Sequence, residues 1–156
     1  MSELLTETPE YSVNAWGITF CVYGKAEPAG SKRIGRAKGS GKPIVLDANK
    51  NAAGWKQQVA TVAGTLMGGR HPFAGPLYLR VTFYKERPKS HTTKHGLAKG
   101  APKHPVYKPD TTKLLRGVED ALNGIVWKDD CQVVDQFARK RYGSPERVEI
   151  QVGVIA

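Results

Sequence analysis

Residues 108–134 read KPDTTKLLRGVEDALNGIVWKDDCQVV, and the rest of the chain is interpreted around this stretch. Its acidic residues stand in a chain whose formal net charge is +10; they are Asp110, Glu119, Asp120, Asp129 and Asp130. Carboxylates that cluster in a cationic protein repel one another unless a positive group lies among them, and a divalent metal ion commonly fills that role. The stretch therefore suggests a metal site.

The spacing predicts a helix with acidic residues at both ends. Pro109 ends any preceding element, and Asp110 or Thr111 can cap a helix that begins near Thr112. Apolar residues recur at helical intervals on one face, namely Leu114, Leu115, Val118, Ala121 and Leu122. The opposite face carries Thr112, Arg116, Glu119, Asp120 and Asn123. Gly124 is a suitable helix stop. Carboxylates therefore stand before, on and after the helix, and we expect them to converge on one metal ion.

The same residues resemble a known family. A Pro-Asp pair, a leucine-rich helix with a basic residue, Asp-Ala-Leu, a glycine, a tryptophan, Asp-Asp and Gln-Val are similar to the pattern of the RusA family of Holliday junction resolvases. The resemblance is dense over Lys108–Val134 and looser elsewhere. It implies a metal-dependent endodeoxyribonuclease of a bacterium or phage that cuts branched DNA, with Mg²⁺ as cofactor, Mn²⁺ as its substitute, and a homodimer as the assembly.

The resemblance also implies roles for single residues. The family holds its metal with positions that correspond to Asp110, residue 112 and Asp130, and its catalytic lysine corresponds to Arg116. This chain departs from the pattern at residue 112, which is Thr112 where the family has an aspartate. A neutral hydroxyl is a weaker ligand for Mg²⁺ than a carboxylate. We hypothesise that Glu119, two helical turns along the same face, replaces the missing carboxylate.

The predicted catalytic residues are Asp110, Asp130, Arg116 and Asp120, and the predicted metal ligands are Asp110, Asp130, Asp129 and Glu119. An arginine at position 116 keeps the positive charge of a lysine but cannot donate a proton, so its role would be electrostatic. Each acid also has a structural explanation. Asp110 can be a helix cap, Asp120 can pair with Arg116, and Asp129 and Asp130 can be ordinary turn residues.

Composition narrows the class of protein. A length of 156 residues fits one domain with a substantial core, and a net charge of +10 points to a polyanionic partner, most simply nucleic acid. The two cysteines are too few for a disulfide framework, and no apolar run is long enough to span a bilayer. We therefore expect a cytoplasmic protein, in a bacterium or a phage-infected host, with no membrane association and no small-molecule cofactor.

Basic residues concentrate in three segments, which are the glycine-rich segment 24–42, the long connection 85–108, and the cluster near residue 140. We interpret them as loops or a flexible arm that contact the DNA backbone. The predicted DNA-binding residues are Lys32, Arg33, Arg36, Lys38, Lys89, Lys94, Lys108, Lys113, Arg139, Lys140 and Arg141.

The predicted fold is a two-layer α/β domain with a small mixed β-sheet packed against two helices. Alternation predicts strands over 18–23, 77–84 and 148–154, and a three-four rhythm predicts a helix that ends near Met67. The last two strands are expected to form a hairpin. Residues 1–14 are predicted to be a flexible tail, and residues 15–156 the RusA-like domain.

Two alternatives in function stay open. A protein that lacks a metal-binding carboxylate at Thr112 would bind junctions without cutting them. A small RNA-binding protein would also be basic, although its acidic cluster would repel phosphate.

Overall fold

The structure is a computed structural model that describes residues 11–30, 32–47 and 49–156. Its helices are α1 and α2, and its strands are numbered in chain order. Their bounds are β1 Tyr11–Asn14, β2 Gly17–Tyr23, β3 Lys32–Arg36, β4 Pro43–Asp47, α1 Ala52–Met67, β5 Leu77–Lys85, β6 Thr92–Thr93, β7 Gly96–Leu97, α2 Thr111–Leu122, β8 Val133–Tyr142 and β9 Arg147–Val154.

The main sheet is mixed, with strand order β1-β2-β9-β5-β8 over the described residues. Neighbouring strands are antiparallel except β5 and β8, which run parallel. The predicted hairpin of the last two strands is wrong, because β5 lies between β8 and β9 and pairs with both. The connection between them crosses the end of β5, where Gly143 N donates a 3.0 Å hydrogen bond to Lys85 O.

The helices cover one face of this sheet, so the predicted two-layer α/β fold is confirmed. Inward residues of the central strand β5 are almost completely buried, as the alternation predicts; they are Leu77, Leu79, Val81 and Phe83. The helix α1 packs Trp55, Val59 and Ala63 on the sheet, and α2 packs Leu114, Val118 and Leu122. The opposite face of the sheet carries no helix in the described part of the chain.

The basic glycine-rich segment is more regular than predicted, because β3 and β4 form an antiparallel hairpin there. Residues 1–10 of the predicted tail lie outside the described residues. Residues 11–14 were also assigned to the tail, but they form β1 and pair with β2. Neither described helix has both the length and the apolar character needed to cross a membrane.

The connection between β5 and α2 is folded, in contrast to the predicted flexible arm. It contains a short 3₁₀ helix at Lys89–His91 and the β6–β7 hairpin. The guanidinium of Arg87 lies 4.2 Å from the ring centre of Tyr142 and also donates a 2.8 Å hydrogen bond to Pro102 O. The contact with Tyr142 fastens the connection to the end of β8.

Candidate metal and nucleic-acid site

Asp130 is held in place by the buried tryptophan that precedes it. Trp127 is completely buried, and its Nε1 donates a 2.8 Å hydrogen bond to Oδ1 of Asp130. Val126 N and Ile125 N both bond Leu122 O, so the turn that carries Trp127 is fixed to the end of α2. A carboxylate with one oxygen engaged by a rigid donor has a defined orientation and keeps its other oxygen for a ligand.

The turn after Trp127 is closed by a reciprocal cap. Asp129 accepts a 2.9 Å hydrogen bond from Cys131 N, and Gln132 Oε1 accepts one of 3.2 Å from Asp129 N. The Gln132 amide also donates to Phe73 O at 2.9 Å. The hydrogen bonds from Cys131 lower the pKa of the Asp129 carboxyl. Asp129, predicted as a metal ligand, therefore serves as the cap of this turn.

Glu119 lies among the other acids of the stretch. Burial raises the pKa of its carboxyl, and the negative charges of Asp130 and Asp120 raise it further. A hydrogen bond from Gln136 Nε2 to Glu119 Oε1 and the charge of Arg116 act in the opposite direction. The structure thus brings Glu119 near Asp130, Asp120 and Arg116, and leaves the carboxylate in a position where a cation would stabilise it.

Asp120 has a cationic partner on the other helix. Its Oδ2 lies 3.6 Å from Nζ of Lys56 on α1. The predicted catalytic residue is therefore partly neutralised and links α1 to α2, and its pairing with Lys56 takes the place of the pairing with Arg116 considered from the sequence.

Asp110 is at the other end of α2. It occupies the N-cap position, but its side chain makes no capping hydrogen bond, and its Oδ2 lies 3.9 Å from Nζ of Lys113. Glu119 follows nine residues later in the helix, which is about 13 Å along the axis. Asp110 begins α2 and Asp130 follows its C-terminal end, so elements at different ends of the helix carry the two residues, and their predicted shared metal ion stays a prediction.

The position of Thr112 bears on the Glu119 hypothesis. Thr112 is exposed in the first turn of α2, seven residues before Glu119, or about 10 Å along the axis. Glu119 therefore does not complete a ligand shell around Asp110 and Thr112. The acids whose charge raises its pKa are Asp130 and Asp120, at the far end of the helix.

A magnesium ion would meet few protein ligands at these positions. Within the described ranges, no group of three or more His, Cys, Asp or Glu side chains is arranged to hold a metal ion. Mg²⁺ prefers hard oxygen ligands, however, and proteins often bind it through one or two carboxylates together with water and substrate phosphates. Glu119 and Asp130 fit that ligand set, whereas a cage of protein side chains alone does not.

The N-terminal end of α2 borders a basic cavity of about 340 Å³. Four lysines line it, Lys25, Lys85, Lys108 and Lys113, with the carboxylates of Glu27 and Asp110. Lys108 and Lys113 were predicted to bind DNA, but Lys25 and Lys85 were not. The sequence did contain a signal for Lys85, because it continues the inward alternation of β5 after Phe83.

The cluster near residue 140 divides between the two faces of the sheet. Lys140 points toward the helices and donates to Tyr107 O at 2.7 Å and Pro109 O at 3.0 Å. Arg139 lies on the open face, where its Nε donates a 2.9 Å hydrogen bond to Thr82 Oγ1. Lys140 therefore has a structural contact where DNA binding was predicted, and Arg139 remains available on the open face together with Arg141 of the same strand.

The other predicted DNA-binding residues are spread over separate surfaces. Arg36, Lys38, Lys89 and Lys94 are exposed on the β3–β4 hairpin and on the connection before α2. The side chains of Lys32 and Arg33 lie outside the described part of the structure.

Comparison with known proteins adds two findings. The family model described as endodeoxyribonuclease RusA matches residues 25–153. The uncharacterized protein YqaN of Bacillus subtilis (strain 168) is 37% identical over 144 residues, which cover 86% of this chain and 94% of that protein. Both matches include the whole of α2 and the turn that carries Asp130.

Proposed function

Because this chain belongs to the RusA family of endodeoxyribonucleases, we propose that it resolves Holliday junctions and other branched DNA by Mg²⁺-dependent hydrolysis of phosphodiesters. The observation that carries the proposal is that Asp130, which follows α2, lies close enough to Glu119, near the C-terminal end of α2, for its negative charge to raise the pKa of the Glu119 carboxyl. This is an anionic site with oriented oxygens on a strongly basic protein, a combination suited to a metal ion bound beside a polyanion.

Different residues would bind the metal ion and the DNA phosphate. Asp130, oriented by Trp127, and Glu119, oriented by Gln136, would hold the ion together with DNA phosphate oxygens. The bound ion would supply Lewis-acid stabilisation of the phosphoryl charge and lower the pKa of a bound water. Arg116 is exposed on the same helix and near Glu119, so its guanidinium can bind the phosphate that undergoes cleavage.

Asp110 has a different place in the proposal. The family resemblance assigns it to the same ion as Asp130, but the two lie at opposite ends of α2. We propose instead that Asp110 acts in the basic cavity that it lines, where its Oδ2 lies 3.9 Å from Nζ of Lys113.

A homodimer is the proposed assembly, because a four-way junction has two equivalent cleavage points and a two-fold dimer presents two equivalent sites. The open face of the sheet is the surface available for self-association. It carries Phe137, which is 54% exposed, and aromatic–arginine pairs that include Arg80 over Tyr78 and Arg147 over Tyr84.

The second candidate function is junction binding without cleavage. Thr112 and the separation of Asp110 from Asp130 favour it, because both reduce the number of carboxylates around one ion. The basic surfaces would be used in the same way, and only the chemistry would be lost.

The experiment incubates the full chain with synthetic four-way junctions in Mg²⁺, in Mn²⁺ and in EDTA. Symmetrical nicks that require metal support the proposed nuclease. Tight, salt-sensitive binding without nicks supports the second candidate. A preference for duplex RNA contradicts both.

A further inference from the structure

Trp16 differs from the other two tryptophans of the chain in its exposure to solvent. Trp55 and Trp127 are 3% and 0% exposed and belong to the core, whereas Trp16 is 72% exposed. It lies on the turn between β1 and β2. Single exposed apolar residues are common on protein surfaces, so exposure alone does not make Trp16 a binding site. Its position in the fold decides what it can bind.

The turn that carries Trp16 is rigid. Trp16 N donates a 2.8 Å hydrogen bond to Asn14 Oδ1, and Trp16 O accepts one of 2.8 Å from Val154 N on β9. A Cβ atom at Gly17 would collide with Val152 O, so the glycine allows β2 to start in close contact with β9. A fixed backbone holds the indole in a defined place, which reduces the entropy that is lost when a ligand binds.

The strand register places Trp16 at the same end of the main sheet as the turn that carries Asp130. Trp16 is bonded to Val154, Val154 is paired with Leu77, and Leu77 is paired with Val133. Three inter-strand spacings separate the backbones of Trp16 and Val133, which is about 14 Å. Asp130 comes three residues before Val133, in the short helical turn that leads into β8.

The connection before β5 joins these two places. Ile155 N donates a 2.9 Å hydrogen bond to Pro76 O, which ties the connection to the end of β9 beside Trp16. On the other side, Gln132 Nε2 donates to Gly75 O at 3.1 Å and so ties it to the Asp130 turn. The indole and the proposed metal ligand are therefore parts of one fixed surface.

The surface near the Asp130 turn also favours a polyanion. It contains a cavity of about 390 Å³, whose lining includes the ammonium-bearing Lys128 and no acidic side chain; the lining residues are His71, Pro72, Phe73, Ala74, Gly75, Lys128 and Gln132. A nucleic-acid strand can follow such a surface from the metal ligand toward Trp16, because it meets positive charge and apolar groups on the way.

We propose that the indole of Trp16 is a stacking platform for a nucleobase at the branch point of the bound DNA. The inference rests on the proposed function for the identity of the nucleic acid. A base at a branch point is less enclosed by neighbouring pairs than a base in continuous duplex, so presenting it to an aromatic ring costs less unstacking energy. Every base has a π face, so the platform selects for DNA structure and not for sequence.

The distance sets where the branch lies relative to the cleaved bond. A separation of about 14 Å corresponds to about four base-pair steps of duplex DNA. Trp16 therefore binds the DNA close to the cleavage point without contacting the phosphate that is cut.

Tryptophan fluorescence tests the platform directly, because the other two indoles are buried. The full chain is titrated in EDTA with a synthetic four-way junction and with a linear duplex of matched sequence. We expect the junction to quench the exposed component of the emission and to protect it from collisional quenching by acrylamide, and the linear duplex to do neither. Trp16→Phe lacks this component and so assigns the signal to Trp16.

Junction affinity is measured in parallel. Trp16→Ala is expected to bind four-way junctions about tenfold more weakly, with unchanged affinity for the linear duplex and unchanged salt dependence, because no charge is removed. Trp16→Phe keeps an aromatic face and should retain most of the affinity. Val106→Ala removes another exposed apolar side chain, on the connection before α2, and is the matched control.

Two further readouts exclude a structural role and a protein partner. Trp16→Ala should melt at the temperature of the parent, because the side chain that it removes is exposed. Its sedimentation should also match that of the parent. A change in sedimentation would show that Trp16 contacts a second copy of the chain and would overturn the platform.

An indole that stays accessible to acrylamide in the junction complex would contradict the proposal. Equal junction affinities of Trp16→Ala and Val106→Ala would do the same, and so would equal losses of affinity for the junction and the linear duplex. Selective protection of Trp16 by junctions that the protein never nicks supports the platform and removes the nuclease proposal, so the two failures are distinguishable.

Discussion

Trp127 Nε1 and Asp130 Oδ1 are joined by a 2.8 Å hydrogen bond at the end of the turn that follows α2. Trp127 is completely buried, so this donor is fixed by the core and not by solvent. The orientation of a proposed metal ligand thus depends on the packing of an aromatic residue three positions before it.

Trp127→Phe should separate packing from orientation. An aromatic ring is kept, but the donor to Asp130 is lost and the smaller ring leaves a cavity, so we expect junction cleavage to fall by about tenfold and the free energy of unfolding to fall by about 1–3 kcal/mol. Cleavage rates and thermal melts measure the two effects. Trp55→Phe is the matched control, because among the described residues nothing accepts a hydrogen bond from its buried Nε1. Equal cleavage by Trp127→Phe and the parent would contradict the role assigned to this donor.

Glu119→Gln should change the pH dependence of stability. The pKa of Glu119 is raised chiefly by burial and then by Asp130 and Asp120, so the folded state holds a proton that the unfolded state has released. The contribution of Glu119 to the free energy of unfolding is therefore fully present below the pKa that this group has in the unfolded state. It is lost as pH rises through the pKa of the folded state.

At neutral pH in EDTA, Glu119→Gln is expected to melt higher than the parent, and this advantage should disappear in acid. The substitution keeps an oxygen for Gln136, so the hydrogen bond is not the variable. Mg²⁺ should stabilise the parent more than the variant. A variant that melts lower than the parent at neutral pH would show that the charge of Glu119 does not destabilise the metal-free protein.

Gly153→Ala should disturb the open face of the sheet. Gly153 on β9 pairs with Tyr78 on β5, and a Cβ atom there would collide with the Tyr78 ring. We expect a loss of about 1–3 kcal/mol in the free energy of unfolding, measured by denaturant titration. Gly64→Ala in α1 is the control, because nothing lies within 4 Å of its Cβ position, and it should stabilise by about 0.5–1 kcal/mol. Equal stability of the two variants would argue against the packing of Tyr78 on β9.

Phe137→Asp tests the proposed homodimer. A carboxylate on the open face, at the edge strand β8, should shift sedimentation from dimer to monomer, because a buried unpaired charge opposes association. Val106→Asp is the control, since Val106 is 87% exposed on the connection before α2 and lies outside that face. A parent that sediments as a monomer at all concentrations would remove the dimer from the account, and an unchanged dimer in Phe137→Asp would move its interface elsewhere.

The sequence predicted those elements whose pattern is local. The bounds of α2 came within a residue of Thr111–Leu122 because one apolar face and a glycine stop define a helix without tertiary information. Strand β5 was equally clear from its alternation. The β8–β9 hairpin failed because a short turn does not reveal that another strand lies between the two it joins.

The site was harder to predict than the fold. The charge pattern alone predicted that the acidic cluster lies in residues 108–134. Which of these acids lie close together depends on how α2 packs against β8. Its C-terminal half lies beside Gln136 and its N-terminus beside Lys140, and this places Glu119 and Asp110 in different surroundings. The burial of Lys85 was not predicted, because a charged side chain is typical of the surface. Its position in the alternating pattern of β5 nevertheless indicated the interior.

Calorimetric titration of Mn²⁺ into the metal-free protein tests the central claim most directly. A metal site at Glu119 and Asp130 predicts binding to the parent and to Asp135→Asn, which alters an exposed acid on β8, with binding lost in Asp130→Asn and in Glu119→Gln. Undiminished binding by Asp130→Asn would contradict it.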